Sequence, residues 1–283
     1  MTLSELKTAF HSALSTDSPS EEIDSFFFWL LEDFLGMKRL NFALNHQNEI
    51  SREDEEKMKN ALLRLQNFEP MQYITGATEF YGFPFKVSEA VLIPRPETEE
   101  LVSLVLSESQ SFEKPKILDI GTGSGCIAIS LAKNLPDAEV TALDVSEDAL
   151  KVTRENIGLN AVNVQVVQAD ILQTKTLPAQ FDIIVSNPPY VRHLEKKMMK
   201  ANVLDYEPEL ALFVTDEDPL IFYKKIAELA KKNLSEKGKL FFEINEYLGN
   251  ELVAFLEASG FNNIRLHKDF AEKDRMISCS RRD

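Results

Sequence analysis

The stretch Asn187-Pro188-Pro189-Tyr190 has the clearest capacity for chemistry in this chain. An asparagine side chain carries one acceptor and two donors, and each proline offers a carbonyl without an N–H. Two consecutive prolines cannot donate ladder hydrogen bonds, so an apolar strand over residues 181–185 must stop here. They also hold the preceding residues extended, which fixes where Asn187 points. The result is a rigid, acceptor-rich pocket at the carboxyl end of a strand, with an aromatic ring beside it. Such a pocket suits a planar amino group, which donates two hydrogen bonds and has a face to stack on. A proline-enforced strand stop whose asparagine caps a turn has the same signature.

A second constellation lies upstream. Gly121-Thr122-Gly123-Ser124-Gly125 follows a buried strand, Lys116–Ile120, and opens a helix, Cys126–Asn134. Alternating glycines mark a place where backbone comes close to a ligand and side chains would intrude. The spacing, with Asp119 before it, is not the G-x-G-x-x-G of a dinucleotide site. No Lys-Ser/Thr pair makes it a Walker A loop either. Asp144 ends the next strand, where a carboxylate can accept from both hydroxyls of a ribose. Asp170 ends the third, placed to bond an adenine amino group. Each aspartate alone also reads as a cap or turn residue. Four consecutive strand ends carrying the glycine loop, Asp144, Asp170 and Asn187 point together to a site for an adenosine-bearing cofactor.

Charge narrows the partners. With 46 acidic against 31 basic side chains the formal net charge is −15. Counterion release drives most non-specific nucleic-acid binding, and this chain has few cations to offer. A DNA or RNA duplex is therefore disfavoured as the main partner, and a basic protein is compatible. Only Cys126 and Cys279 are present, outside any metal-spaced cluster, so neither a disulfide frame nor a metal is expected. The longest apolar run, residues 26–31, is too short to span a bilayer, and residues 1–6 lack a secretion signal. These features suit a reduced, cytoplasmic setting.

The elements that must hold these residues follow from periodicity. Leu3, Leu6, Phe10 and Leu14 recur at helical spacing. Ser18-Pro19-Ser20-Glu21 reads as a capping box with proline at the first helical position. The helix it opens carries Ile23, Phe26, Phe27, Leu30, Leu31 and Phe34 and stops at Gly36. Phe28 and Trp29 fall off that stripe, so this helix is expected to be apolar nearly all round and central to a bundle. Helices over about 38–46 and 51–67 complete it. Residues 78–87 alternate around Gly82 and Pro84 as in a hairpin. Arg95, between Pro94 and Pro96, sits in a stiff connection that serves equally as a linker. From Lys116 strands and helices alternate, and the last two strands, about 263–268 and 276–280, have no helix between them. The expected fold is α/β: a doubly wound, mostly parallel seven-stranded sheet with an antiparallel C-terminal hairpin, plus a small N-terminal helical bundle. The expected segments are 1–75 for the helical partner-recognition domain, 76–98 for hairpin and linker, and 99–283 for the cofactor-dependent domain.

Asp119-x-Gly-x-Gly-x-Gly125, Asp144, Asp170 and Asn187-Pro-Pro-Tyr190 resemble class I methyltransferases that use S-adenosylmethionine. Glu69-Pro-Met-Gln-Tyr-Ile-Thr-Gly76, Ile93-Pro-Arg-Pro-Glu-Thr-Glu99 and Tyr206-Glu-Pro-Glu-Leu-Ala-Leu-Phe213 resemble the HemK/PrmC family. Its members are protein-glutamine methyltransferases of peptide chain release factors. The resemblance implies that Gly121, Thr122, Gly123, Ser124 and Gly125 surround the cofactor's methionine portion and Asp144 its ribose. Asp170 and Ile171 would border the adenine, although relatives often carry a larger side chain at position 171. Asn187 and the Pro188 carbonyl would hold the substrate amide beside the cofactor. Pro189 would complete that wall, Tyr190 would pack on the amide plane, and Arg95 would form part of a wall between domains. S-adenosylhomocysteine would be the product, and the glutamine of a Gly-Gly-Gln loop the target.

The chemistry agrees with such a pocket. An amide nitrogen is a poor nucleophile because its lone pair is delocalised. Two acceptors on its hydrogens can orient it and stabilise the positive charge that develops during displacement. No strong base is needed first. The rival readings are an adenine amino-group methyltransferase acting on DNA or RNA, which would flip its base into the same pocket, and a cofactor-binding module without catalysis.

Overall fold

The computed structural model describes residues 1–199 and 201–281. The chain divides into two compact units: Met1–Gly76 with residues 200–206, and Ala77–Met199 with Glu207–Asp283.

The first unit is helical, with helices Leu3–Leu14, Ser20–Leu35, Arg39–Asn45, Arg52–Gln66 and Met71–Thr75. Its core holds the stripes expected from spacing, with Leu6, Phe10, Phe27, Leu30 and Leu31 fully buried, and Met58 of the fourth helix joins them. Two local expectations fail. Pro19 is itself the N-cap and makes no side-chain cap bond, so no capping box forms at Ser18. The box instead opens the first helix, where Thr2 and Glu5 cap each other's backbone. The second helix is also not apolar all round, because Trp29 remains 43% exposed. Phe28, also off the stripe, does pack, edge-on against Phe42 of the third helix, and only Trp29 is left out.

The second unit begins with a hairpin, Ala77–Phe80 paired with Phe83–Lys86. Tyr81 and Gly82 both take positive φ at its turn, as a two-residue hairpin loop requires. Helix Pro96–Ser109 follows, with Pro96 in its first turn. The main sheet has seven strands: β1 (Lys116–Ile120), β2 (Glu139–Asp144), β3 (Val164–Gln168), β4 (Phe181–Ser186), β5 (Leu234–Glu243), β6 (Phe261–Lys268) and β7 (Asp274–Arg281). Their spatial order is β6-β7-β5-β4-β1-β2-β3. The β1–β5 pairs are parallel, and β7 runs antiparallel to both neighbours. This is the doubly wound sheet with an antiparallel hairpin that the alternation predicts.

Alternate residues of each central strand face opposite layers, which is why these strands read as unbroken apolar runs. Leu118, Ile184, Leu240 and Phe242 pack with helices Ile221–Asn233 and Gly249–Ala258. Ile117, Ile183, Val185 and Phe241 pack with helices Pro96–Ser109 and Cys126–Asn134. β5 starts at Leu234, earlier than its apolar run suggests, because Leu234 still pairs with Phe181 across a register shift. The 3₁₀ turn His193–Met198 and the parallel pair Val191–Arg192 with Phe213–Val214 carry no periodic signal and were not foreseen. The chain leaves β1 towards β2 and β3, then returns to β1's other side with β4. Ligands of such sheets bind at that reversal, outside the carboxyl ends of the strands.

Candidate functional site

At that reversal the loops after β1 and β4 abut. A Cβ built on Gly121 would lie 4.0 Å from the Asn187 carbonyl oxygen. A cleft opens there, lined by Gly121, Thr122, Gly123 and Ser124 and by Asn187, Pro188 and Pro189. Asp144, Asp170, Ile171 and Arg95 also line it. The structure thus brings together eleven of the thirteen residues singled out in the sequence. Gly125 and Tyr190 lie outside the lining.

The glycine loop is held by its own backbone. The Gly121 and Thr122 N–H groups donate to the Leu143 carbonyl at 2.8 and 3.0 Å, and Gly125 N–H donates to Thr122 O at 2.8 Å. Gly123 N–H donates to Asp144 Oδ2 at 2.9 Å, while Ser146 N–H donates to Oδ1 at 2.9 Å. These bonds leave Gly121, Thr122, Gly123 and Gly125 no backbone N–H to offer a phosphate. From helix Glu147–Asn160, the Thr153 hydroxyl donates to Gly123 O at 2.7 Å and Asn156 Nδ2 to Ser124 O at 2.9 Å. Gly125 serves packing: at φ 82° its Cβ would meet Thr153 Cγ2 at 2.9 Å.

The local charge is negative. Asp119 is fully buried; Thr122 donates to its Oδ2 at 2.6 Å, and its Oδ1 has no hydrogen-bond partner among the described residues. Burial pushes its carboxyl up to about 7, against the Thr122 hydroxyl and the Ala128 backbone N–H and with some help from Asp144. Asp170 is exposed just past β3, accepting from Leu172 N–H at 2.9 Å, and Ile171 beside it is buried. Cys126 also lines the cleft, but burial holds its thiol up at about 12, so it is no nucleophile.

Asn187 is half-buried, and its Nδ2 donates to Thr98 Oγ1 at 3.2 Å. Thr98 in turn donates to Glu243 Oε2 at 2.6 Å, and Tyr190 donates to Glu243 Oε1 at 3.0 Å. The Tyr190 ring therefore turns to a buried carboxylate and packs on the core; it is not an open platform on the cleft wall. Burial, with the Glu243 charge, holds its phenol far above the ordinary value, so it remains a donor. Asn245 Nδ2 donates to Tyr190 O at 3.1 Å and to Glu195 Oε2 at 3.0 Å, which anchors the end of the Asn-Pro-Pro-Tyr turn.

Arg95 forms an ion pair with Glu207, which is 4% exposed and also accepts from Ile93 N–H. The Pro94 and Pro208 segments that flank this pair both reach the cleft. Sequence reasoning gave no site role to Thr98 and Glu207, which lie inside the motifs of the resemblance, and did not single out Glu243. Glu243 carried a usable signal, since it is an acid closing an apolar strand, as Asp144 is. Among the described residues no group of three His, Cys, Asp or Glu is placed to hold a metal, and no helix is long and apolar enough to cross a membrane.

Comparison with known proteins agrees across the chain. Residues 98–206 match the Methyltransferase small domain and residues 5–76 the PrmC N-terminal domain. The chain is 51% identical to the release factor glutamine methyltransferase of Flavobacterium psychrophilum, over 99% of each chain. It is 46% identical to that of Bacteroides thetaiotaomicron, over 93% of this chain and 94% of the relative. Among solved structures, a Thermus thermophilus 16S rRNA methyltransferase in complex with AdoMet and guanosine superposes with a TM-score of 0.54 at 21% identity. That match covers 73% of this chain and 50% of the other, and it reflects the shared fold.

Proposed function

Since the chain belongs to the release factor glutamine methyltransferase family, we propose that it moves a methyl group from S-adenosylmethionine to the side-chain amide nitrogen of a glutamine in a peptide chain release factor. By family resemblance the target is the glutamine of the Gly-Gly-Gln loop, so the modification would tune translation termination, and the setting is cytoplasmic.

The cleft fits this cofactor on the chemistry of its own donors. The cofactor supplies an electrophilic methyl group on a positively charged sulfur. Asp144, which lines the cleft, gives the glycine-loop end a carboxylate whose field favours a cation. Each Asp144 oxygen accepts one backbone N–H and keeps a lone pair for a ribose hydroxyl. Asp170 and Ile171 offer a polar edge and an apolar face to a base.

The observation that carries the reading is the orientation of Asn187. One Nδ2 hydrogen goes to Thr98, which turns the amide so that Oδ1 is the acceptor available to a substrate. That oxygen and the Pro188 carbonyl accept the two hydrogens of a glutamine amide and hold its nitrogen in line for attack. The same acceptors stabilise positive charge as it grows on nitrogen. The surplus proton leaves after the C–N bond forms. A hydroxyl substrate leaves one acceptor unpaired and a carboxylate is repelled, which selects for the amide.

The test is transfer of labelled methyl from S-adenosylmethionine, offered in parallel to a release factor, its Gln→Ala loop variant, and adenine-containing DNA and RNA. Label on the intact factor alone is the expected result. Label on nucleic acid alone overturns the reading in favour of an adenine amino-group enzyme.

A further inference from the structure

We propose that Glu243, acting through Thr98, decides which end of the Asn187 side-chain amide faces the cleft, and is thus a positioning residue for the methyl acceptor. The inference rests on the reading of Asn187 given above.

An asparagine amide is nearly symmetrical in shape, so packing alone cannot choose between its oxygen and its nitrogen. Hydrogen-bond polarity can. Glu243 closes β5 with 2% exposure, and its two oxygens meet the hydroxyls of Thr98 and Tyr190. Each Glu243 oxygen already receives one hydroxyl, Thr98 on Oε2 and Tyr190 on Oε1, so the single hydrogen of Thr98 is committed to Glu243 Oε2 at 2.6 Å. Towards Asn187, Thr98 Oγ1 then offers only lone pairs, and it lies 3.2 Å from Nδ2. The amide must therefore place its NH2 on Thr98 and turn Oδ1 away from it. The inverted amide would set oxygen against oxygen and present two N–H groups to a substrate that also donates two.

The two hydroxyl bonds, one on each oxygen, are what mark Glu243 as an acceptor. Burial raises its carboxyl, while the Thr98 and Tyr190 hydroxyls and the Arg275 charge oppose that rise. The Tyr223 hydroxyl donates to the Glu243 backbone carbonyl at 3.1 Å, which fixes the end of the strand. Thr98 itself is 2% exposed, so water does not readily replace it as the partner of Asn187. Glu243 need touch neither cofactor nor substrate. Its effect is carried by one hydroxyl.

The experiment uses the full chain with labelled S-adenosylmethionine and a release factor. Glu243→Gln keeps shape but can donate to Thr98, which frees the Thr98 hydrogen to point at Asn187 and inverts the relay. Thr98→Val keeps shape and removes the relay. Both are expected to lower kcat by about 10- to 100-fold, the range for one misdirected buried hydrogen bond. KM for the release factor and calorimetric affinity for S-adenosylmethionine should move by less than about threefold. Thr98→Ser should recover most of the turnover lost in Thr98→Val. Independently of turnover, the Asn187 side-chain amide resonances, identified by their absence in Asn187→Ala, should lose their hydrogen-exchange protection in Glu243→Gln and Thr98→Val and regain it in Thr98→Ser.

Full kcat in both Glu243→Gln and Thr98→Val, with Asn187→Ala inactive, overturns this inference and leaves the reading of the site standing. Full kcat in Asn187→Ala overturns that reading, and the inference with it. Should Glu243→Gln fail to fold, Thr98→Val against Thr98→Ser decides alone.

Discussion

The backbone N–H of Gly123 donates to the carboxylate of Asp144 across 2.9 Å, so the acid that closes β2 also clamps the glycine loop that follows β1. One residue shapes the loop and, in the proposed reading, offers its remaining lone pairs to the cofactor. Asp144→Ala should then weaken S-adenosylmethionine binding by about 10- to 100-fold, because a charge-assisted bond and the loop's clamp are lost together. Titration calorimetry reads this directly. Affinity unchanged in Asp144→Ala would remove Asp144 from the cofactor site.

Asn187→Ala removes the acceptor proposed to hold the substrate amide and leaves the glycine loop intact. Turnover should fall by about 1,000-fold or more, while affinity for S-adenosylmethionine falls by less than about tenfold. Steady-state kinetics on a release factor, beside calorimetry on the same preparation, separates the two. Equal losses in both would make Asn187 a cofactor residue only.

Gly125 has φ 82°, and an added Cβ would lie 2.9 Å from Thr153 Cγ2 and 3.0 Å from Ile129 Cδ1. Gly125→Ala should cost about 2 kcal/mol or more, since strain and overpacking act together. Gly36, the left-handed C-cap of the second helix, has φ 62° and no atom within 4 Å of its Cβ position. Gly36→Ala should cost only the conformational part, about 1 kcal/mol. Denaturant unfolding of the two variants should rank them in that order, and equal losses would mean that the Thr153 and Ile129 side chains give way.

Burial holds the Asp119 carboxyl at about 7 in the folded chain, against about 4 when unfolded. Between those values the folded state keeps a proton that the unfolded state has released. Stability from this group is therefore complete below about pH 4, declines as pH rises towards 7, and is level above it. Asp119→Asn cannot ionise. Its Tm relative to the parent chain should climb from pH 4 to pH 7 and then stay flat. Parallel Tm curves would show that Asp119 titrates alike in both states.

Much of this protein is legible in its sequence, because the signals are local. Strand β1, the glycine loop and helix Cys126–Asn134 are adjacent in the chain, so period and turn chemistry locate them without any long-range fact. The double proline after Asn187 likewise ends β4 by removing N–H donors, whatever surrounds it. Local rules erred where packing supplied the missing term. Ser18 makes no cap, and Trp29 is left exposed while Phe28 beside it finds Phe42 of the third helix to pack on.

Only the tertiary structure decided how the site's polar groups are paired. Thr98 and Glu243 stand 145 residues apart, Thr98 and Asn187 89 apart, and Arg95 and Glu207 112 apart. A hydrogen bond needs its atoms within about 3 Å in one direction. Strand order, not sequence distance, brings the ends of β4 and β5 beside the start of helix Pro96–Ser109. The residue types in this cleft belong to the sequence; which atom of Asn187 faces it belongs to the fold.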